Sequence, residues 1–293
     1  SLTYQWYYST PSATSFVLIP NNADFNNVNT ATLDIVNPIS YNGSQFYCQV
    51  TEDSATCYQA SNAVKLEVTA TVWDGTSWSS PPAIDRVAII DDDYNTSIDT
   101  NGETSFEACD CIVNTGSELI IANNDYVQVK NNVTINGSIL VETQGSFVQN
   151  GVGANAGTFT NNGTASVNKQ TTDFFDDGFN YHYTYWSSPV ANTDIATVFP
   201  NPRGSRRFYF DTSQFIDTDG DDVSDSPNDW QTATGSMERG RGYAVTATTP
   251  PGFPYNNTNT FKGAYNTGDI PKSIDMNSYT GDTDWNFIGF TYT

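Results

Sequence analysis

Between Ile112 and Val167 the chain repeats one small pattern five times: a glycine, then Ser or Thr, then a short β-prone run. The copies are Gly116-Ser117-Glu118-Leu119-Ile120, Gly137-Ser138-Ile139-Leu140-Val141, Gly145-Ser146-Phe147-Val148-Gln149, Gly157-Thr158-Phe159-Thr160 and Gly163-Thr164-Ala165-Ser166-Val167. Tyr126-Val127-Gln128-Val129 and Val133-Thr134-Ile135 fall between them without the glycine. Such runs are too short for helices, and Asn-Asn, Asn-Gly and Gln-Gly corners separate them. Gly and Asn tolerate positive φ, which suits a chain that turns every few residues. A coil of this kind hides its inward side chains only by stacking on the next, which predicts a short β-solenoid-like rod, similar to a β-helix, with corners of variable length. The same period-2 runs would also serve a sandwich of short hairpins.

Around that rod the sequence predicts an all-β chain in three parts. Residues 1–69 read as an immunoglobulin-like β-sandwich truncated at its N-terminus. Residues 70–170 form the solenoid with a Trp-rich entry segment. Residues 171–293 form an aromatic-rich β-sandwich-like domain truncated at its C-terminus. Ser1-Leu2-Thr3 runs straight into Tyr4-Gln5-Trp6, and the chain closes on Asn286-Phe287-Ile288-Gly289-Phe290, so we expect a fragment of a longer parent whose other domains are its first partners. Asp and Glu outnumber Lys and Arg by 33 to 11, a net charge of −22. That field repels phosphate backbones, so no nucleic-acid partner is expected. No apolar run approaches the roughly 20 residues of a membrane span.

Cys48 and Cys57 flank a segment with a turn at Glu52-Asp53-Ser54-Ala55, and a disulfide between them across a hairpin is expected, implying an oxidising compartment and secretion. Cys109 and Cys111 are alternate residues and would meet only in a strained ring, so their state is left open. No His or further Cys cluster completes a tetrahedral metal site around them.

In the first part, a Trp on the early strand Tyr4–Tyr8 and an aromatic two residues before Cys48 give a sequence that resembles the immunoglobulin sandwich. Phe46 stands where that family has its corner tyrosine, and the upstream cysteine is absent. The resemblance implies loop-borne ligand binding or use as a spacer. Next, Trp73-Asp74-Gly75-Thr76-Ser77-Trp78 places two Trp around an Asp-Gly turn. They read as a cap on the rod, or as possible ligand-binding aromatics able to stack on a sugar ring. Asp91-Asp92-Asp93 reads as a solvated turn, since adjacent side chains point apart.

Beyond residue 171 aromatics crowd together, and Tyr181, Tyr183 and Tyr185 alternate with His182, Thr184 and Trp186, which predicts a central strand aromatic on both faces. His182 is the sole histidine, and no Ser or Cys beside it has a nucleophile's setting, so no catalytic residue and no enzymatic activity are expected. One stretch carries specific chemistry. Asp217, Asp219, Asp221 and Asp225 stand at positions 1, 3, 5 and 9 of a loop, with the Val223 carbonyl at position 7, the spacing by which oxygen ligands wrap calcium. Hard oxygen donors favour Ca²⁺ over transition metals. Asp222 replaces the usual glycine at position 6 and Asn228 the usual Glu at position 12. The site expected is therefore a structural calcium loop and not an EF-hand, with a solvated acidic loop as the alternative.

The solenoid pattern, Trp73–Trp78, Val87–Asp91, Tyr185-Trp186-Ser187-Ser188-Pro189, Gly235-Ser236-Met237, Gly240-Arg241-Gly242-Tyr243-Ala244-Val245 and Asn286-Phe287-Ile288-Gly289 together resemble segments of the large surface proteins that Bacteroidetes export by type IX secretion. The acidic loop is similar to thrombospondin type 3 repeats. The resemblance implies display on the surface of a Gram-negative cell, a secretion machinery as partner, and a part in adhesion, gliding or polymer capture. Three function classes follow: a non-catalytic structural or adhesive region (stalk, filament or adhesin) that binds surface glycans or self-assembles, a carbohydrate-binding region of a secreted polysaccharide-utilisation protein, and a polysaccharide-degrading enzyme on the β-helix. The roughly 60 residues of repeat provide few coils for the last.

Overall fold

The computed structural model describes residues 1–22, 24–36, 38–53, 55–98, 103–151, 156–171, 183–221, 223–247, 257–276 and 285–292. They are almost entirely β-strand and loop, with one α-helix, α1 (Ile195–Val198), among the described residues. The chain falls into two compact units, Ser1–Ala70 and Thr71–Thr293.

In the first unit β1 (Leu2–Ser9), β2 (Val17–Leu18), β3 (Phe25–Asn26), β4 (Asp34–Ile35), β5 (Gln45–Glu52), β6 (Tyr58–Ala60) and β7 (Val64–Lys65) follow in order. β1 pairs antiparallel with β5 along its whole length, placing Trp6 opposite Cys48. β2 flanks β1, β6 and β7 both pair with β5, and β3 and β4 form a separate hairpin. Ile19, Phe25, Val28 and Phe46 form the core, with Tyr8 and Tyr41 packed on it.

The β5–β6 register overturns the expected disulfide. Thr51 faces Tyr58 and Gln49 faces Ala60, so Cys57 lies beside the turn while Cys48 lies at the far end of the ladder, where its carbonyl accepts from Ser61. Four ladder positions at about 3.3 Å each exceed the reach of a disulfide. Both are free thiols, as are Cys109 and Cys111, and the cysteines thus carry no information about compartment.

The second unit opens with β8 (Ala70–Trp73), and then strands come in threes: β9 (Val87–Ile90), β10 (Tyr94–Asn95), β11 (Phe106–Ala108); β12 (Cys111–Val113), β13 (Glu118–Ile121), β14 (Tyr126–Val129); β15 (Val133–Ile135), β16 (Ser138–Val141), β17 (Ser146–Gln149); β18 (Phe159–Asn161), β19 (Thr164–Gln170). Each member of a triplet pairs in parallel with its counterpart in the next, giving three parallel sheets: β9-β12-β15-β18, β10-β13-β16-β19 and β11-β14-β17. This is a three-sided β-helix. One coil runs 20 residues from Leu119 to Ile139, and the next 26 from Ile139 to Ala165, because corners and not strands absorb the difference.

Inward residues stack in columns: Tyr94, Leu119, Ile139 and Ala165 on one side, and Ala88, Cys111 and Val133 on another, all essentially buried. Each large branched side chain so buried is worth about 1.5–3 kcal/mol. Polar corners also stack. Asn114 donates to Asp91, Asn162 donates to Asn136 (2.9 Å), and Asn132 accepts from the amide of Thr158 (3.0 Å). The repeated glycines owe their place to this stacking. A Cβ on Gly137 would overlap the carbonyl oxygens of Ser117 and Asn114, and one on Gly163 the carbonyl of Gly137 itself. Of the five repeat glycines, only Gly116 uses the left-handed freedom the sequence suggested (φ +93°).

Both ends of the helix are closed by rings. At the first coil Trp73, Trp78, Tyr94 and Phe106 form one cluster, with Trp73 edge-on to Tyr94 at 4.9 Å. At the last, Tyr265 stacks on Phe159 at 4.7 Å and meets Phe147 at 5.3 Å.

The remaining chain contributes β20 (Tyr183–Trp186), β21 (Arg207–Phe210), β22 (Trp230–Thr232), β23 (Tyr243–Thr246) and β24 (Thr258–Lys262). β20-β23-β21-β22 form an antiparallel sheet, and β24 lies antiparallel on β19. Trp186 and Phe199 pack on Phe261 of β24, so one core runs from the coils into this sheet. The division at residues 170 and 171, drawn from the change in composition, does not separate two compact units. β20 is an edge strand and not a central one, and Tyr185 on it is 67% exposed. Tyr181 and His182 lie outside the described residues.

Candidate functional site

The acidic loop leaves β21 through a short turn capped by Asp211, whose carboxylate accepts from the Ser213 amide, and is anchored by the buried Phe215. The Asp225 amide donates to the Ile216 carbonyl (2.6 Å), closing the loop on itself. Gly220 supplies the left-handed turn at φ +79°. Carboxylate oxygens of Asp217, Asp219 and Asp225 come within 4.8 Å of one another. Asp217 is buried and accepts from the Gly220 amide (2.7 Å), while Asp219 and Asp225 are open to solvent.

Asp221 does not join this group of three, because its carboxylate accepts from the amide of Val223, whose side chain is exposed. Asp222 lies outside the described residues. The charge of Asp221 is the largest of the influences pushing the Asp219 carboxyl above its ordinary value, with Asp225 and Asp217 adding to it. Asp225 is held below the ordinary range by the Thr218 hydroxyl and amide, which both donate to it. A hard divalent cation relieves such mutual repulsion, and three carboxylates around a left-handed turn are a donor set that fits calcium.

Two aromatic grooves stand elsewhere. Trp78 lines one of about 700 Å³ with Pro81, Pro82, Tyr94, Phe106 and Tyr126. Trp73 does not reach it: the ring is fully buried and its indole donates to the Asp93 carbonyl (2.9 Å), so it closes the rod and offers no face to a ligand. The second groove, about 460 Å³, crosses the β20-β23-β21-β22 sheet and is lined by Tyr183, Tyr185, Phe208, Pro227, Trp230 and Ala244. The aromatic crowding is visible in the sequence, and the groove is not. The signal available was Ala244, a small residue on a strand between two aromatic ones.

Asp91, Asp92 and Asp93 serve the rod's corners. Asp91 accepts from Asn114, Asp92 from the Asp93 amide, and Asp93 from the Glu118 amide. Burial pushes the Cys111 thiol up to about 12, consistent with a core residue of the coil wall and not a nucleophile.

Residues 67–293 match a family described as a domain of unknown function (DUF8693). The chain belongs to that family. The DUF8693 match takes in the β-helix, the acidic loop and both grooves, and it leaves most of the first unit outside. No curated protein and no solved structure matches the chain.

Proposed function

We propose that this chain is a non-catalytic structural and adhesive region of a large secreted protein displayed on the surface of a Gram-negative bacterium. The observation that carries the reading is the stacked β-helix closed by rings at both ends and continuous with an antiparallel sheet. Its inward side chains form columns and its corner Asp and Asn residues bind the adjacent coil, an arrangement suited to a stiff support. A support of this kind bears an exposed face, here aromatic, at its end. The acidic loop holds one calcium ion through Asp217, Asp219 and Asp225, which fixes the segment leading to β22. The strongly acidic balance, −22, favours solubility and cations and opposes nucleic acid. Protease shaving of intact source cells, followed by detection with an antibody raised against residues 67–293, tests the location. Digestion of the antigen on unbroken cells is expected, and protection until lysis would overturn the reading.

A further inference from the structure

We propose that the groove across β20, β23, β21 and β22 is a binding site for an uncharged glycan, its sugar ring lying against the exposed rings of Tyr185 and Trp230 with Ala244 as the floor beneath. The register builds the slot. Tyr185 and Phe208 are both opposite Ala244, on the two strands that flank it, and directly paired residues share a face. Strands two apart lie about 9.6 Å from each other, and the rings of Tyr183 and Phe208 approach to 6.3 Å across β23, so the small Ala244, 4% exposed, is the floor of the groove. Tyr183, two residues from Tyr185, extends the first wall, and Trp230 on β22 the second.

The face is unusual for its kind. The outward side of an antiparallel sheet is ordinarily polar, but this one presents rings, with Tyr185 67% and Trp230 38% exposed, while Trp186, Tyr243 and Val245 fill the inner side. Both outer rings are braced by neighbours on the same face, Tyr185 by Phe287 (5.1 Å) and Trp230 by Phe287 and Phe210 (5.7 and 5.4 Å), with Phe287 packed on Gly242.

Size and charge select the occupant. About 460 Å³ lies within the range of small-molecule sites, roughly 300–1,000 Å³, whereas a protein partner needs about 800 Å² of surface. Among the described residues no lining side chain carries a charge, and at the rim Arg206 donates to the Tyr183 hydroxyl (2.9 Å). On a chain of net charge −22, with the acidic loop just before Pro227, an anionic polymer is repelled. A pyranose matches the rest, with an apolar C–H face for the rings and a hydroxyl edge for the Trp230 indole N–H and the Tyr185 hydroxyl. Those two polar groups make no hydrogen bond with any described residue. Rings with an apolar body and a polar tip suit such a ligand. The inference deepens the adhesive reading and rests on it only for where the glycan comes from. Glycan retention and cell-surface location are measured separately and fail separately.

The test is affinity electrophoresis of the whole chain in gels carrying soluble uncharged polysaccharides (mixed-linkage β-glucan, xylan, galactomannan, dextran) or polygalacturonate. Retardation by at least one uncharged polymer is expected, unchanged at about 0.5 M salt, where charge interactions are screened. Tyr185→Ala and Trp230→Ala should each weaken it about tenfold with Tm unchanged, while Tyr126→Ala, in the other groove, leaves it intact. Four results would overturn the proposal: no retardation in any uncharged gel, retardation by polygalacturonate alone, loss in salt, or undiminished binding by the folded double variant Tyr185→Ala/Trp230→Ala.

Discussion

Tyr265 donates its hydroxyl to the carbonyl of Ser166, 2.7 Å away, across 99 residues of sequence. Its ring covers Phe147 and Phe159, and burial raises its hydroxyl's pKa. The last coil is thus shut by a residue from the segment after β24.

Tyr265→Phe keeps the ring and leaves the Ser166 carbonyl without that donor, so a loss of about 1–3 kcal/mol is expected. Tyr265→Ala removes the lid as well and should cost about 3–5 kcal/mol. Urea unfolding of the two variants, read as midpoint shifts at constant slope, gives both values.

Gly137→Ala forces a Cβ against the Ser117 and Asn114 carbonyls and should destabilise by about 1–3 kcal/mol or more. Thr164→Ala, exposed on the same sheet, should stay within about 0.5 kcal/mol. Thermal melts of the pair would decide it, and equal Tm values would mean that the corners do not need glycine.

The four thiols should label at different rates. Exposed Cys57 should react with an alkylating reagent in the native protein, whereas Cys48 and Cys111 should react only on unfolding, since burial both covers them and raises their pKa. Mass spectrometry after timed alkylation measures this, and a Cys48–Cys57 crosslinked peptide would contradict the β5–β6 register.

Calcium at about 100 times its Kd should raise Tm by roughly 5–10 °C relative to EDTA. Asp219→Ala should abolish the rise, and Asp92→Ala should not. The effect should fade in acid. The Asp219 folded pKa is raised, so protonation takes hold early as pH falls through that value, relieving the repulsion and removing a ligand charge together. The Asp225 folded pKa is lowered, so the stability it gains from Thr218 is present above its unfolded pKa and is lost only as pH falls through the lower folded value. Melts at pH 7 and pH 4, with and without the ion, check the sign, and calcium-independent melts at both would remove the site.

What the sequence disclosed follows from which physics is local. The Gly-Ser/Thr runs announced stacked coils, because Gly137 and Gly163 recur wherever one corner lies on another. The number of sides was hidden, since β10, β12 and β15 begin without that glycine and the corner lengths vary. The Cys48–Cys57 pairing failed because proximity in sequence says nothing about ladder position. Trp73 was legible as a cap but not as a buried one, for burial depends on Tyr94 and Asp93, which arrive later. The acidic spacing placed Asp217, Asp219 and Asp225 together correctly, whereas Asp221 was drawn off by a backbone amide two residues away. The sugar-sized groove needed the order β20-β23-β21-β22, and that order is nonlocal.

β24 has a bearing on how copies of this chain meet. A stack of parallel strands that ended on a bare edge would offer a template on which a further coil, from another molecule, could dock in register. On the β10-β13-β16-β19 face the chain lays its own strand there, running the opposite way. An incoming parallel coil finds that position taken and its direction wrong. On this side the rod covers its own last edge, which opposes edge-to-edge polymerisation there.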